Sequence, residues 1–189
     1  MSTEHHSLLQ KLQASEAFSR VLLESSPDCI KLLDLDGNLL SMNETGQRLM
    51  EIDNFASFSG RCWLDFWPQH ALVEQAVDAA KAGGEGRFQG FSQTAKGTPK
   101  WWDVRVIRVS PPDSLQDILL SVSRDMTEQK RAEQRLAIDH AVAQALLEAS
   151  NLDAAAPAIV DVFCQQLNLE IGEFWLLDQT QDQIMCIAR

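Results

Sequence analysis

Few residues in this chain have side chains that could do chemistry. Four cysteines, Cys29, Cys62, Cys164 and Cys186, and four histidines, His5, His6, His70 and His140, are the candidate nucleophiles and metal ligands. The cysteines lie far apart and form no C-x-x-C pair, so neither a zinc site nor a disulfide framework is indicated, and a reducing cytoplasm fits. His5-His6 reads as a solvated pair near the terminus. His140, in AIDHAVAQAL, superficially matches a phosphoacceptor on a helix. It lacks the usual neighbouring Glu, with Asp139 before it instead, and reads as a solvated helix residue. No G-x-S-x-G, Walker A, Gly-rich nucleotide loop or H-E-x-x-H occurs, so no catalytic residue and no metal ligand is assigned. The aromatic residues are the other feature: Trp63, Phe66, Trp67, Phe88, Phe91, Trp101 and Trp102 fall within one stretch of the chain. Such a set either packs a core and a sheet surface or walls a pocket for an apolar or planar small molecule. The sequence leaves both open.

The elements that would hold these residues follow from periodicity. Residues 7–24 read as a helix, with Leu8, Leu9, Leu12, Phe18, Val21 and Leu22 mostly at three-to-four spacing. Pro27 stops it by disfavouring the helical region at Ser26. CIKLLDLDGNLLSMN is two short apolar runs about Asp36-Gly37, a hairpin signal. ETGQRLMEI reads as a short helix, and FSGRCWLDFWP as an irregular aromatic segment ending in Pro68. QHALVEQAVDAAKAGG is a helix burying Leu72, Val73, Ala76, Val77 and Ala80, and Gly83-Gly84 stop it. Three strands follow. The first is GRFQGFSQT, closed by a turn at Lys96-Gly97. The second is KWWDVRVIRV, with Trp102, Val104 and Val106 on one face and Trp101, Asp103, Arg105 and Ile107 on the other. After a loop at SPPDSLQ, the third runs from Asp117 to Ser123, with Ile118, Leu120 and Val122 alternating. Strands adjacent in sequence with helices grouped between them make an α+β pattern with an antiparallel sheet.

A helix-rich segment starts after Asp125; eight of the nine glycines lie at or before Gly97. Residues 127–150 read as one helix. NLDAAAPAIVDVFCQQLNL reads as another, with Asp153 as N-cap and Pro157 near its first turn. EIGEFWLLDQTQDQIMCIAR reads as a strand hairpin. Two helices and two strands make a poor closed core.

Bulk properties narrow the function. Of 189 residues, 45% are hydrophobic and 23% charged, the balance of an ordinary globular protein. Sixteen basic against 27 acidic residues give a net charge of −11, and no basic patch offsets it, so nucleic acid is not an expected partner. The N-terminus has no signal-peptide pattern. No run approaches the ~20 apolar residues of a membrane span.

Four pieces, in this order and spacing, carry a resemblance: LLESSPDCIKLLDLDGNLLSMN, GRCWLDFWP, AKGTPKWWDVRV and SRDMTEQK. The last is a variant of a closing D-I-T motif, with Met126 in place of Ile. Phe18 to Thr127 resembles a PAS domain of bacterial sensor histidine kinases and related signalling proteins. About Ala137 to Arg189 resembles, more loosely, the start of a GAF domain. The resemblance implies a five-stranded antiparallel sheet cupping a pocket against short helices, with an N-terminal flanking helix. It also implies dimerisation and output through a C-terminal linker helix into a partial GAF-like α+β unit, and the helices at 7–24 and 127–150 favour a parallel homodimer. It divides the chain into a flank at 1–17, a sensor domain at 18–127, a connecting helix at 128–150 and an incomplete unit at 151–189. It does not imply one ligand. Side chains placed to line the pocket are Cys29, Met42, Trp63, Phe66, His70, Phe91 and Trp102.

Cofactor chemistry fits this sequence poorly. Light-sensing relatives carry G-x-N-C-R-F-L-Q, whose Cys attacks flavin. Here Cys62 sits two residues after Gly60, not three, and a one-residue slip turns a thiol by about 100° on a helix. Cys62 reads as a small hydrophobe. Haem needs an axial ligand such as His70, but the start of a helix favours exposure. No cofactor is therefore expected.

Asp125, Thr127 and Glu128 are the candidates for signal transmission. Asp125 and Glu128 stand in capping-box relation: Asp125 accepts from the N–H three residues on, and Glu128 reaches back. The helix beyond carries two imperfect seams, Ile138-Val142-Ala145-Ala149 and Ala132-Leu136-Ala143-Leu146, which suit a helix able to shift. The expected function is a non-catalytic cytoplasmic sensor module. The alternatives are a ligand-free interaction scaffold, the sensor part of a diguanylate cyclase and, least favoured, a haem or flavin redox or light sensor.

Overall fold

The computed structural model of the chain describes residues 2–110, 116–178 and 183–189, with side chains from residue 14 onward. The imidazoles of His5 and His6, the side chains of Leu8, Leu9 and Leu12, most of the SPPDSLQ loop and the tip of the final hairpin lie outside the described residues. The chain divides into two compact units, Met1–Thr127 and Glu128–Arg189.

The first unit opens with α1 (Ser2–Ser25), followed by β1 (Cys29–Leu33), β2 (Leu39–Met42) and α2 (Glu44–Leu49). Two 3-10 turns, Phe55–Ser57 and Trp63–Phe66, lead to α3 (His70–Lys81). Then come β3 (Glu85–Gln93), β4 (Pro99–Val109) and β5 (Ile118–Asp125). The strands form one antiparallel sheet in the order β2-β1-β5-β4-β3.

Local chemistry sets these boundaries. The β1–β2 loop is one residue longer than a two-residue hairpin. The Gly37 N–H donates to the Asp34 carbonyl, Asp34 N–H pairs with the Asn38 carbonyl, and Gly37 takes φ +86°. α3 ends in a Schellman motif: Gly84 N–H donates to Ala79 O, Gly83 N–H donates to Ala80 O, and Gly83 sits at φ +87°. Asn43 caps α2 and uses its whole amide. Its Oδ1 accepts from Gly46 N and Ile30 N at 2.9 Å each, and its Nδ2 donates to the Leu23 and Asp28 carbonyls. One buried side chain thus ties the end of α1, the start of β1 and α2 together.

The core lies between one sheet face and the helical segments. Cys29 and Leu33 of β1, Leu39 and Met42 of β2, Phe88 of β3, Trp102, Val104 and Val106 of β4, and Leu119 of β5 face inward. They pack on Trp63, Trp67, Val73, Ala76, Val77 and Ala80. Leu72, expected on the buried face of α3, is instead exposed: it lies one residue off the Val73-Ala76-Val77-Ala80 stripe. In β5 the buried side chains are Leu119, Ser121 and Ser123, so Ile118, Leu120 and Val122 point to the other face. Of the apolar residues expected to define the face of α1, Phe18, Val21 and Leu22 are exposed.

The second unit holds α4 (Thr127–Glu148, from Glu128 on), α5 (Leu152–Leu167) and the hairpin of β6 (Phe174–Asp178) and β7 (Gln183–Ala188). Asn151, not Asp153, caps α5: its Oδ1 accepts from Ala154 N at 2.9 Å, which puts Asp153 inside the first turn and Pro157 in the second. On α4, Ile138, Val142 and Ala145 are half-buried, as is Ala149 just beyond it, whereas Leu136 and Leu146 of the other seam are exposed. The core here is small. Ala156, Val160 and Ala188 pack with Cys164, Phe174 and Ile187, and Trp175, Leu177, Ile184 and Met185 stay exposed.

Gly86 holds α3 against the sheet. A Cβ there would lie 1.9 Å from the Ala76 carbonyl oxygen, a backbone atom that cannot swing aside. Gly86→Ala is expected to lower unfolding stability by about 3 kcal/mol or more in urea titration. Gly60→Ala, where a Cβ meets no neighbour and only the φ of +78° is unfavourable, should cost about 1–2 kcal/mol. Equal losses at the two sites would refute the close-packing account.

Candidate functional site

The inner sheet face does not fill completely. A cavity of about 250 Å³ remains beneath it. Its sheet wall is Lys31 from β1, Leu39 and Met42 from β2, Trp102 from β4, and Ser92 and Gln93 from β3. The opposite wall is Met50, Ile52, Phe58, Arg61, Trp63, Phe66 and Trp67. Thr94 and Ala95, in the β3–β4 turn, complete the rim. The aromatic set is both core and wall. Trp67 stacks edge-on against Phe88 at 4.9 Å and against Trp63 at 5.8 Å, and Trp63 and Trp67 also border the cavity.

The rim is fastened by a cross-connection. Ala95 N–H donates to the Met50 carbonyl at 2.9 Å, the Thr94 hydroxyl donates to the Glu51 carboxylate, and Lys96 pairs with Asp53 at 3.0 Å. Glu51 holds φ +55°, a left-handed conformation uncommon away from glycine. Hydrogen bonds from Thr94 and Thr98 hold its carboxyl below the usual range.

Lys31 is the least expected resident. It is 4% exposed, and its Nζ donates to Ser123 Oγ at 3.0 Å. The same nitrogen lies 5.9 Å from the ring centres of both Trp63 and Trp102. Arg61 is exposed and sits over Phe58 and Phe66, at 5.5 and 5.4 Å.

Of the residues expected to line the pocket, Met42, Trp63, Phe66 and Trp102 do. Cys29 does not: it is fully buried against α2, where a Cβ on Gly46 would meet its Sγ at 2.7 Å. His70 and Phe91 do not either. They border a shallow groove at the β3 edge with Asp65 and Pro68, and His70 is exposed at the start of α3. Phe91 lies on the outer face against Trp101, at 5.8 Å, because Phe88, Gly90 and Ser92 take the inward positions of β3. Cys62 is half-buried and outside the lining. Sequence reasoning missed Lys31, although it is in phase with the inward Cys29 and Leu33.

The strand-to-helix junction abuts this wall. Trp102 stands opposite Asp125 in the β4–β5 ladder. Met126 N–H donates to the Trp101 carbonyl at 2.8 Å, and Trp101 N–H donates to Thr127 Oγ1 at 3.0 Å. The expected capping box is absent. Asp125 still belongs to β5, and its Oδ1 accepts from the Thr127 N–H at 2.9 Å, two residues on rather than three. Glu128 pairs with Arg131 at 2.8 Å instead of reaching back. The physical reason is Lys100, whose Nζ donates to Asp125 Oδ2 at 2.6 Å and holds the carboxylate over β4.

Burial alone would raise the Asp125 carboxyl, but the hydrogen bonds from Lys100 and Thr127 and the Lys100 charge outweigh it and hold it below the usual range. A carboxyl that titrates lower folded than unfolded contributes stability above its ordinary pKa of about 3.9. That contribution is lost as pH falls through the folded value. Asp125→Asn should therefore cost on the order of 2 kcal/mol in urea at pH 7. The gap to the native sequence should narrow steadily below pH 4, and a gap undiminished at pH 3 would refute the charge-assisted role.

Comparison with known proteins places this geometry. Residues 23–131 match the family model described as the PAS fold. No curated protein matches the sequence. The chain is similar to the crystal structure of the PAS domain of an HTR-like protein from Haloarcula marismortui, at 21% identity and TM-score 0.56, over 64% of this chain and 98% of that one. It is similar to a domain of the sensory box sensor histidine kinase/response regulator from Geobacter sulfurreducens, at 18% identity and TM-score 0.50, over 60% and 96%. It is also similar to the Rhodobacter sphaeroides LOV protein, at 15% identity and TM-score 0.51, over 82% and 94%. With the sheet order, the cavity beneath the sheet and more than half of the sequence in agreement, the chain belongs to the PAS family.

Proposed function

We propose that this chain is a non-catalytic sensory and dimerisation module of a bacterial signal-transduction protein, the N-terminal part of a sensor histidine kinase working in the cytoplasm. A small molecule in the cavity biases the β5–α4 junction, and α4 carries that bias onward. The observation that carries this reading is shared structure: Trp102 borders the cavity and pairs with Asp125, and Lys31 bonds to Ser123, two residues before Asp125. A guest that moves either side chain acts on the residues that start the helix. Neither a flavin adduct on Cys62 nor haem ligation by His70 fits this cavity, because Cys62 is outside its lining and His70 lies on the surface.

The proposed organisation is a flank at 1–17, the sensor domain at 18–127, a connecting helix at 128–150 and an incomplete GAF-like unit at 151–189. The small core and exposed Trp175, Leu177, Ile184 and Met185 support the last of these. Phe18, Val21 and Leu22, exposed on α1, support a parallel homodimer. They also favour a second reading, a ligand-free dimerisation scaffold.

Native mass spectrometry of the purified chain, with hydrogen exchange over residues 127–134, separates these readings. Sensing predicts a stoichiometric small-molecule adduct, and faster exchange in the first turns of α4 once the adduct is stripped. A chain that is dimeric, free of adduct and unchanged in exchange would leave only the scaffold.

A further inference from the structure

The polar groups around the cavity are unequally satisfied. Its hydroxyls are occupied: Ser92 Oγ donates to the Phe66 carbonyl at 2.7 Å, and Thr94 Oγ1 donates to Glu51 and accepts from Thr98 N at 3.0 Å. Its donors are not. Among the described residues, the indole N–H groups of Trp67 and Trp102 are buried without a protein partner, and an indole nitrogen can only donate. Lys31 has three N–H donors and uses one, on Ser123. Among the described residues, no carboxylate pairs with Lys31; the nearest compensation is one hydroxyl and two indole faces. A cation buried to 4% exposure without an anion is costly unless something supplies the opposite charge.

We infer that the cavity takes a small organic anion, an apolar or aromatic body bearing one carboxylate, with the carboxylate set against Lys31. This rests on the sensor reading of the same cavity. The rest of the lining suits the body of such a guest: Leu39, Met42, Ile52, Trp63 and Phe66 are apolar. Size agrees, since a dry cavity of about 150 Å³ holds benzene and this one measures about 250 Å³. A cationic guest would meet Lys31 as a like charge. A neutral apolar guest would leave the ammonium and both indole donors unmatched.

The test is calorimetric titration of the intact chain with matched pairs: benzoate against benzamide, phenylacetate against phenylacetamide, and hexanoate against hexanamide. The carboxylate of at least one pair should bind tenfold or more tightly than its amide. Lys31→Met should abolish that preference, bringing the carboxylate's affinity to within about twofold of its amide's. Arg61→Gln, which changes an exposed cation screened by solvent, should reduce carboxylate affinity far less. The wild-type pairs alone decide the matter should Lys31→Met fail to fold. Amides that bind as tightly as carboxylates, or a preference that survives Lys31→Met, would overturn the anion and leave the sensor reading standing. Binding of neither member of any pair would overturn both.

Discussion

Where β4 runs beside β5, Trp102 stands opposite Asp125, and this register governs most of what surrounds it. Side chains alternate along a strand, so fixing one pair fixes the face of every other residue in both strands. With Trp102 inward, Val104 and Val106 follow, and Ser121 and Ser123 of β5 face the same interior. A slip of one residue would place Arg105 and Asp103 in the core and turn Trp102 outward. The cavity wall and the entry to α4 would be lost together.

That register also explains how a lysine comes to be inside. Lys31 stands opposite Ser121 across the β1–β5 pair and reaches diagonally to Ser123. Leucine or valine in place of Ser123 would remove the hydroxyl that accepts from the ammonium. The polar inward edge of β5 and the buried cation of β1 are therefore one feature carried by two strands. The two indoles flanking Nζ are part of it, since each offers a π-face to the cation.

Much of this was legible in the sequence because the signals were local. The hairpin at Gly37, the stop at Gly83-Gly84 and the alternation in KWWDVRVIRV each need only their own neighbours. The failures share a cause. Residue type groups Phe91 with the pocket, yet Phe88 and Phe91 are three apart, and in this strand that spacing puts them on opposite faces. Parity was equally available for Lys31, in phase with Cys29 and Leu33, but a charge within an apolar run reads as outward unless its partner is known, and Ser123 is 92 residues away. Cys29 does face inward, but whether an inward side chain meets a cavity or a helix depends on α2 and on the absence of a side chain at Gly46.

The capping box illustrates the same limit and shows why the junction differs from an ordinary helix start. D-x-x-E is a local pattern, and a box built from it would let the helix begin without reference to the sheet. Lys100 removes that independence by holding the Asp125 carboxylate on β4. The groups that begin α4 then belong to the sheet: Trp101 supplies a carbonyl to Met126 and an N–H to Thr127, and Asp125 is itself the last residue of β5. Such a helix start is formed only while β4 and β5 keep their register. A self-contained cap would be indifferent to events at Trp102, whereas this one shares a backbone segment with it. β4 thus walls the cavity with Trp102 and, through the adjacent Trp101, bonds to Thr127, the first residue of α4.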